Sequence, residues 1–265
     1  MRGPTHGGGV NRVKVGFFSL SGRGGSDDDT DDDSDDRAYL AWHQLDHMPE
    51  QYQLPGIVHG QRWVSNEACH AARSAASGVF EDVHHVVLYL MGDPVEQTLD
   101  DFFDLGSRLA HLGRFPRDLP RRFLGALRLL DVRAAPRVLV SAEVVPFRPN
   151  RGVYLIAEQP ADRDRLDPYL RWRHGEHLDR LVTTPGVAGA WVFATAARYR
   201  RGRYTEGDFR ITVCYLDGDP PETAAALGPL MEEAWRDAPV TPLLAAPFAS
   251  LVPWVWPEGV YQSYD

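Results

Sequence analysis

Two histidines occupy matching places in two related stretches of the chain. His47 lies in YLAWHQLDHMPEQYQLPGIVHGQRWV, which begins at Tyr39, and His177 lies in YLRWRHGEHLDRLVTTPGVAGAWV, which begins at Tyr169. A neutral imidazole near pH 7 can take or give a proton, and the adjacent Asp46 or Glu176 can tune it. The competing role is structural, a ring tying a helix end to a neighbouring loop. Tyr89 and Tyr215 recur in YLMGDPVE and YLDGDPPE, and a strand tyrosine facing a cavity can orient or protonate an oxyanion. Strand alternation puts His85 on one face with Val87, Tyr89 and Met91, and that face is expected to line an interior. Arg62 could hold a carboxylate or phenolate, with His43 as a further substrate-binding candidate and Trp63 and Trp191 as candidate walls. His43 stands four residues before His47, a helical spacing that can bind a metal. Arg173 replaces it in the second stretch, neither region adds a third ligand in an HExxH-like motif, and no metal is expected.

Other chemistries lack their signatures. No GxGxxG follows a strand, and there is no Walker loop, GxSxG elbow or CxxCH haem attachment. The net charge of −9 is local, because eight aspartates crowd between Asp27 and Asp36. The remainder is nearly neutral and offers no general basic surface to nucleic acid. Cys69 and Cys214 form no CxxC or zinc spacing, which rules out a disulfide framework and fits a reducing compartment. The start of the chain lacks a signal-peptide stretch, and the apolar run from Val86 to Met91 is far too short to span a bilayer. A soluble cytoplasmic protein, with no membrane partner, is expected.

The elements that must position these residues come in two sets. At a constant offset of 130, Tyr39, Leu40, Trp42, His47, Pro55 and Gly56 match Tyr169, Leu170, Trp172, His177, Pro185 and Gly186. The repeated Gly-Asp-Pro blocks follow in the same order, as do Val145-Pro146-Phe147 and Val252-Pro253-Trp254. Such ordered self-similarity indicates an internal duplication. Each copy predicts a strand (12–20 and 152–158), a helix ended by Pro-Gly, a strand (60–65 and 190–195) and a further strand (83–91 and 209–216). A second helix (95–112 and 221–236) and a closing strand (137–147 and 249–255) complete it. On a helical wheel Ala41, Trp42, Leu45, Met48 and Tyr52 share one, mostly apolar face, with His43, Asp46, His47 and Glu50 on the other. An extra amphipathic helix is expected over about 115–132.

Two β-α-β-β-α-β units make the fold class α+β, two ferredoxin-like repeats fused into one barrel around a cavity. Residues 1–11 are a tail, 12–148 the first repeat and 152–265 the second. The acidic run 26–36 reads as a solvated loop. A calcium site is its sharper alternative, without the glycine and closing glutamate of an EF-hand.

With Trp42, His47 and Pro55-Gly56, and again Trp172, His177 and Pro185-Gly186, the chain resembles EthD-like members of the dimeric α+β barrel superfamily. That superfamily includes cofactor-free monooxygenases, polyketide cyclases and dehydratases, and haem enzymes. The resemblance implies a cofactor-independent enzyme acting on a small apolar or aromatic, polyketide-like substrate by proton transfer or oxygenation. His47 or His177 would move protons and the strand tyrosines would position oxygens. A haem- or metal-dependent oxidoreductase and a non-catalytic ligand-binding protein are the rivals. The two repeats would form an intramolecular pseudo-dimer, and a further homodimer stays open.

Overall fold

The computed structural model describes residues 11–23, 39–115, 120–200 and 205–251. The acidic run 26–36 and most of the 1–11 tail lie outside the described residues. The first half runs β1 (Val13–Ser21), α1 (39–51), β2 (Ile57–Val64), a short α2 (Glu67–Ala71), β3 (Ala75–Ala76), β4 (His85–Gly92), α3 (Val95–His111) and β5 (Arg121–Ala134). The second runs β6 (Gly152–Pro160), α4 (166–183), β7 (Val187–Thr195), β8 (Arg210–Leu216), α5 (Pro220–Trp235) and β9 (Val240–Ser250).

All the strand pairs are antiparallel, in the order β2-β4-β1-β5-β7-β8-β6-β9, with the tiny β3 on the far edge of β9. β9 returns to β2 through Trp63↔Ser250 and Val64↔Ala249, which closes the ring. Both seams join the two halves, β5 to β7 and β9 to β2. The architecture is α+β, an antiparallel barrel with helices packed on its outside.

Strand alternation divides the core into an inside and two outer layers. Phe18, Leu20, Trp63, Leu88, Trp191 and Phe193 are among the residues that fill the barrel. Phe17, Tyr89, Met91, Leu99 and Phe102 pack between the first half's sheet and its helices. Tyr154, Ile156, Leu181, Cys214 and Met231 do the same in the second half. Each fully buried large apolar side chain contributes about 1.5–3 kcal/mol through removal from water.

Three expectations need correction. The extra helix at 115–132 is instead the 14-residue strand β5, paired with β1 and β7. Its Phe123 and Leu127 enter the barrel while Leu124 and Ala126 face α1 and α3. A strand buried on both faces reads as a continuous apolar run, and four-residue spacing then suits strand and helix alike. Residues 137–147 therefore hold no closing strand but end in a 3-10 turn, Ala142–Phe147. In the second half β9 begins at Val240, earlier than expected, and residues from 252 lie outside the described set.

The wheel drawn for α1 also fails, since His43 is 3% exposed and Leu45 is 57% exposed. A π turn, His43–His47, interrupts the helix, with Met48 N–H bonding five residues back to His43 O. The added residue per turn rotates everything beyond it relative to a 3.6-residue wheel. α4 carries the same feature at Arg173–His177, 130 residues on.

The third correction concerns faces. His85, Val87, Tyr89 and Met91 point toward the helices rather than into the barrel, while Tyr215 points inside with Trp63 and Trp191. Tyr89 pairs with Gly60 and Phe17, and the residue in that ladder position of the second half is Cys214, paired with Ala190 and Tyr154. The motif match is thus out of register by one residue, and a one-residue slip reverses the face.

Candidate functional site

The π turn sets the site. It aligns His43 and His47 on one side of α1 with ring centroids 5.6 Å apart, both facing the outer surface of β1 and β4. π bulges recur at functional sites because they re-aim side chains within a helix. Between α1, that sheet face and α3 lies a cavity of about 630 Å³. Phe17, Tyr39, Trp42, Phe102, Phe103 and Phe115 supply aromatic walls. Their rings interlock, with Phe17 4.7 Å from Phe102, and Tyr89 5.3 Å from Phe102.

The buried polar groups of the cavity are few and neutral, and the one charged side chain of its lining, Arg121, is exposed. His47 stacks on Trp42 at 4.8 Å and meets Phe115 edge-on at 5.1 Å. Burial pushes its imidazole down to about 4, with Asp46 opposing and Arg114 assisting. Arg114 is itself bridged to Asp46 and Glu50. The fully buried Gln51 amide lies 3.3 Å from His47 Nε2. Either amide orientation engages that nitrogen, leaving His47 Nδ1 without a partner. Burial, and then the Arg62 guanidinium, hold His43 well below the ordinary histidine range. Burial raises the Tyr89 hydroxyl, so it stays protonated as a donor. His43 Nδ1, Gln51 Oε1 and Tyr89 OH are buried without hydrogen-bond partners among the described residues. Buried polar atoms are usually satisfied, and several left open around one void call for a ligand.

His47, His43 and Tyr89 therefore come together as candidate site residues. Arg62 and His85 sit beside them: the guanidinium lies 4.5 Å over the Tyr39 ring and the His85 ring 5.9 Å from it. Both back the site and neither lines the cavity. Trp63, Trp191 and Tyr215 do not belong to it, since they pack together inside the barrel at 6.3 and 6.5 Å. The Trp63 and Trp191 indoles donate to Asn150 Oδ1 and Ala142 O. Gln51 and Phe102 escaped sequence reasoning. Gln51 stands four residues after His47, a helical spacing that would have flagged it.

His177 has a different environment. Arg173 Nη1 donates to its Nδ1, and its Nε2 bonds Leu230 O at 3.2 Å, so both nitrogens are engaged. Burial and Arg173 push it down to about 3. Gly56 and Gly186 fix the correspondence of the second helices, because a Cβ on either would strike a threonine, Thr98 or Thr223. Counted from there, Gly106 corresponds to Met231 and Ala110 to Trp235. Met231 is fully buried, Trp235 Nε1 donates to Glu158 at 2.9 Å, and Arg173 reaches the same carboxylate at 3.4 Å. In the second half, then, large side chains stand where the first half has Gly106 and Ala110. A separate open groove of about 530 Å³ beside Tyr169 and Trp172 includes neither His177 nor Arg173.

Among the described residues no group of three or more His, Cys, Asp or Glu side chains could hold a metal ion. Nor is any helix among them long and apolar enough to cross a membrane.

Solved structures share this barrel. A provisionally assigned chlorite dismutase matches with a TM-score of 0.54 at 12% identity, covering 91% of this chain and 96% of its own. A provisionally assigned monooxygenase from Fusobacterium nucleatum matches with a TM-score of 0.51 at 4% identity, covering 91% and 94%. An anthrone oxidase-like protein matches at 0.47 and 13% identity over 91% and 92%. At such identities the first two establish the fold alone, the dimeric α+β barrel. No protein-family model and no curated sequence matches the chain.

Proposed function

We propose that the cavity of the first half binds a small aromatic molecule bearing a hydroxyl or carbonyl oxygen, and that the protein is an enzyme acting on it by proton transfer or oxygenation. One observation carries this reading: an aromatic-walled void whose open hydrogen-bonding atoms, on His43, His47, Gln51 and Tyr89, are all neutral groups. Aromatic walls suit a planar ring, and neutral donors and acceptors suit an uncharged oxygen. With the Gln51 amide turned so that its carbonyl accepts from His47 Nε2–H, the free His47 Nδ1 would take the substrate proton, and the Tyr89 hydroxyl would stabilise the oxyanion left behind. Oxygenation would take dioxygen as co-substrate. We also propose that the two halves descend from one EthD-like unit by duplication, which the π turns at equal offset support.

The neutral imidazoles favour one rival. His43 or His47 could ligate a haem iron, which would supply oxidative chemistry of its own. Visible spectroscopy of the purified protein separates the readings, because a Soret band would make haem the resident group. Binding tests the main proposal. 1-Naphthol should bind at least about tenfold more tightly than naphthalene, the preference expected of a site whose polar groups need a partner. Tyr89→Phe should cut that preference, and equal affinities for the two probes would contradict it.

A further inference from the structure

α3 carries a glycine where its buried stripe calls for a large side chain. Val95, Leu99, Phe102 and Leu109 bury against the sheet at helical spacing. Gly106 falls in that stripe, four residues after Phe102 and three before Leu109. Glycine is the least favoured residue inside a helix after proline, because folding costs it the most backbone freedom. Close packing does not require it, since a Cβ there would meet no heavy atom within 4 Å. Nor does backbone geometry: the described glycines with positive φ are Gly78, Gly113, Gly186 and Gly207. The space beside Gly106 is the cavity, which Gly106 and Ala110 line together. At the matching place in the second half, Met231 is fully buried. A large side chain is thus compatible with this helix and sheet.

We infer that Gly106 is the specificity-determining position of the cavity. Its missing side chain sets the width available to the apolar body of the ligand and admits fused rings where a larger residue would admit only a single ring. This rests on the aromatic-ligand reading above. The buried, unpartnered Tyr89 OH, His43 Nδ1 and Gln51 Oε1 independently mark the same void as a ligand's place.

The test measures the affinities of 1-naphthol and phenol, with thermal midpoints, for the wild type, Gly106→Ala and Gly106→Met. Both variants should fold with a midpoint no lower than wild type. Affinity for 1-naphthol should fall about fivefold in Gly106→Ala and about fiftyfold in Gly106→Met, the scale of steric discrimination by one side chain, while phenol changes by less than about threefold. Unchanged 1-naphthol affinity in folded Gly106→Met would overturn the assignment and leave the aromatic-ligand reading standing. If that variant does not fold, Gly106→Ala decides alone, and unchanged affinity there has the same meaning. A wild type that binds neither probe would overturn both.

Discussion

Burial, more than any neighbouring charge, keeps His47 neutral. Its ordinary value near 6.5 drops to about 4, although Asp46 alone would raise it. Because the folded value lies below the unfolded one, the histidine's contribution to stability is complete above about 6.5 and is lost as pH falls through about 4. Affinity for 1-naphthol should accordingly stay level from pH 8 down to pH 5, and a step centred near 6.5 would contradict a neutral, buried ring. His47→Gln should keep the fold while turnover of any accepted substrate falls about a hundredfold, the scale of lost proton transfer. His177→Gln should do the opposite. It breaks contacts to Arg173 and Leu230 and should lower stability by about 1–3 kcal/mol in a denaturant titration, with probe affinity unchanged. Matched spacing made both histidines candidates, because it reports shared architecture, and only His43, Arg62 and His85, present in the first copy alone, favoured His47. What separates them is the third dimension: Arg173 and Leu230 engage one ring, while a void adjoins the other.

At the scale of elements, the strand and helix order was legible wherever periodicity was one-sided, as in α3 and α5. It failed at β5, where apolar residues face both ways and Phe123 to Leu130 imitates a helix. It failed again within α1, where the π turn breaks the period on which a wheel depends. The Tyr89 and Tyr215 assignment failed for a subtler reason. The Gly-Asp-Pro blocks match by letter, yet the ladders place Cys214 and not Tyr215 opposite Ala190, so one residue of slip exchanged barrel and helix faces. The contact that fixes the correspondence of the second helices, Gly56 against Thr98, is itself testable. A Cβ at Gly56 would lie 1.9 Å from Thr98 Oγ1, so Gly56→Ala should cost about 1–3 kcal/mol through overpacking. Adding Thr98→Ala should recover part of that loss in a double-mutant cycle, and strictly additive losses would show that the two residues do not clash.

At the scale of the whole molecule, each half supplies a strand to the other, through β5–β7 and β9–β2, and neither half closes a barrel alone. The barrel was legible in the order of elements, but its asymmetry was only hinted at by residues such as His43 and Arg62 that lack counterparts. Whether space reaches the half's histidine depends on whether Gly106 or the fully buried Met231 occupies the inner face of the second helix, a matter of packed volume that no motif encodes. The central claim is therefore a count: one working cavity in a chain built of two similar halves. Calorimetric titration of 1-naphthol into the purified protein measures it most directly. One site per chain, weakened at least about tenfold by Tyr89→Phe and untouched by His177→Gln, is the predicted result. Two equivalent sites per chain, or a single site abolished by His177→Gln and indifferent to Tyr89→Phe, would contradict it.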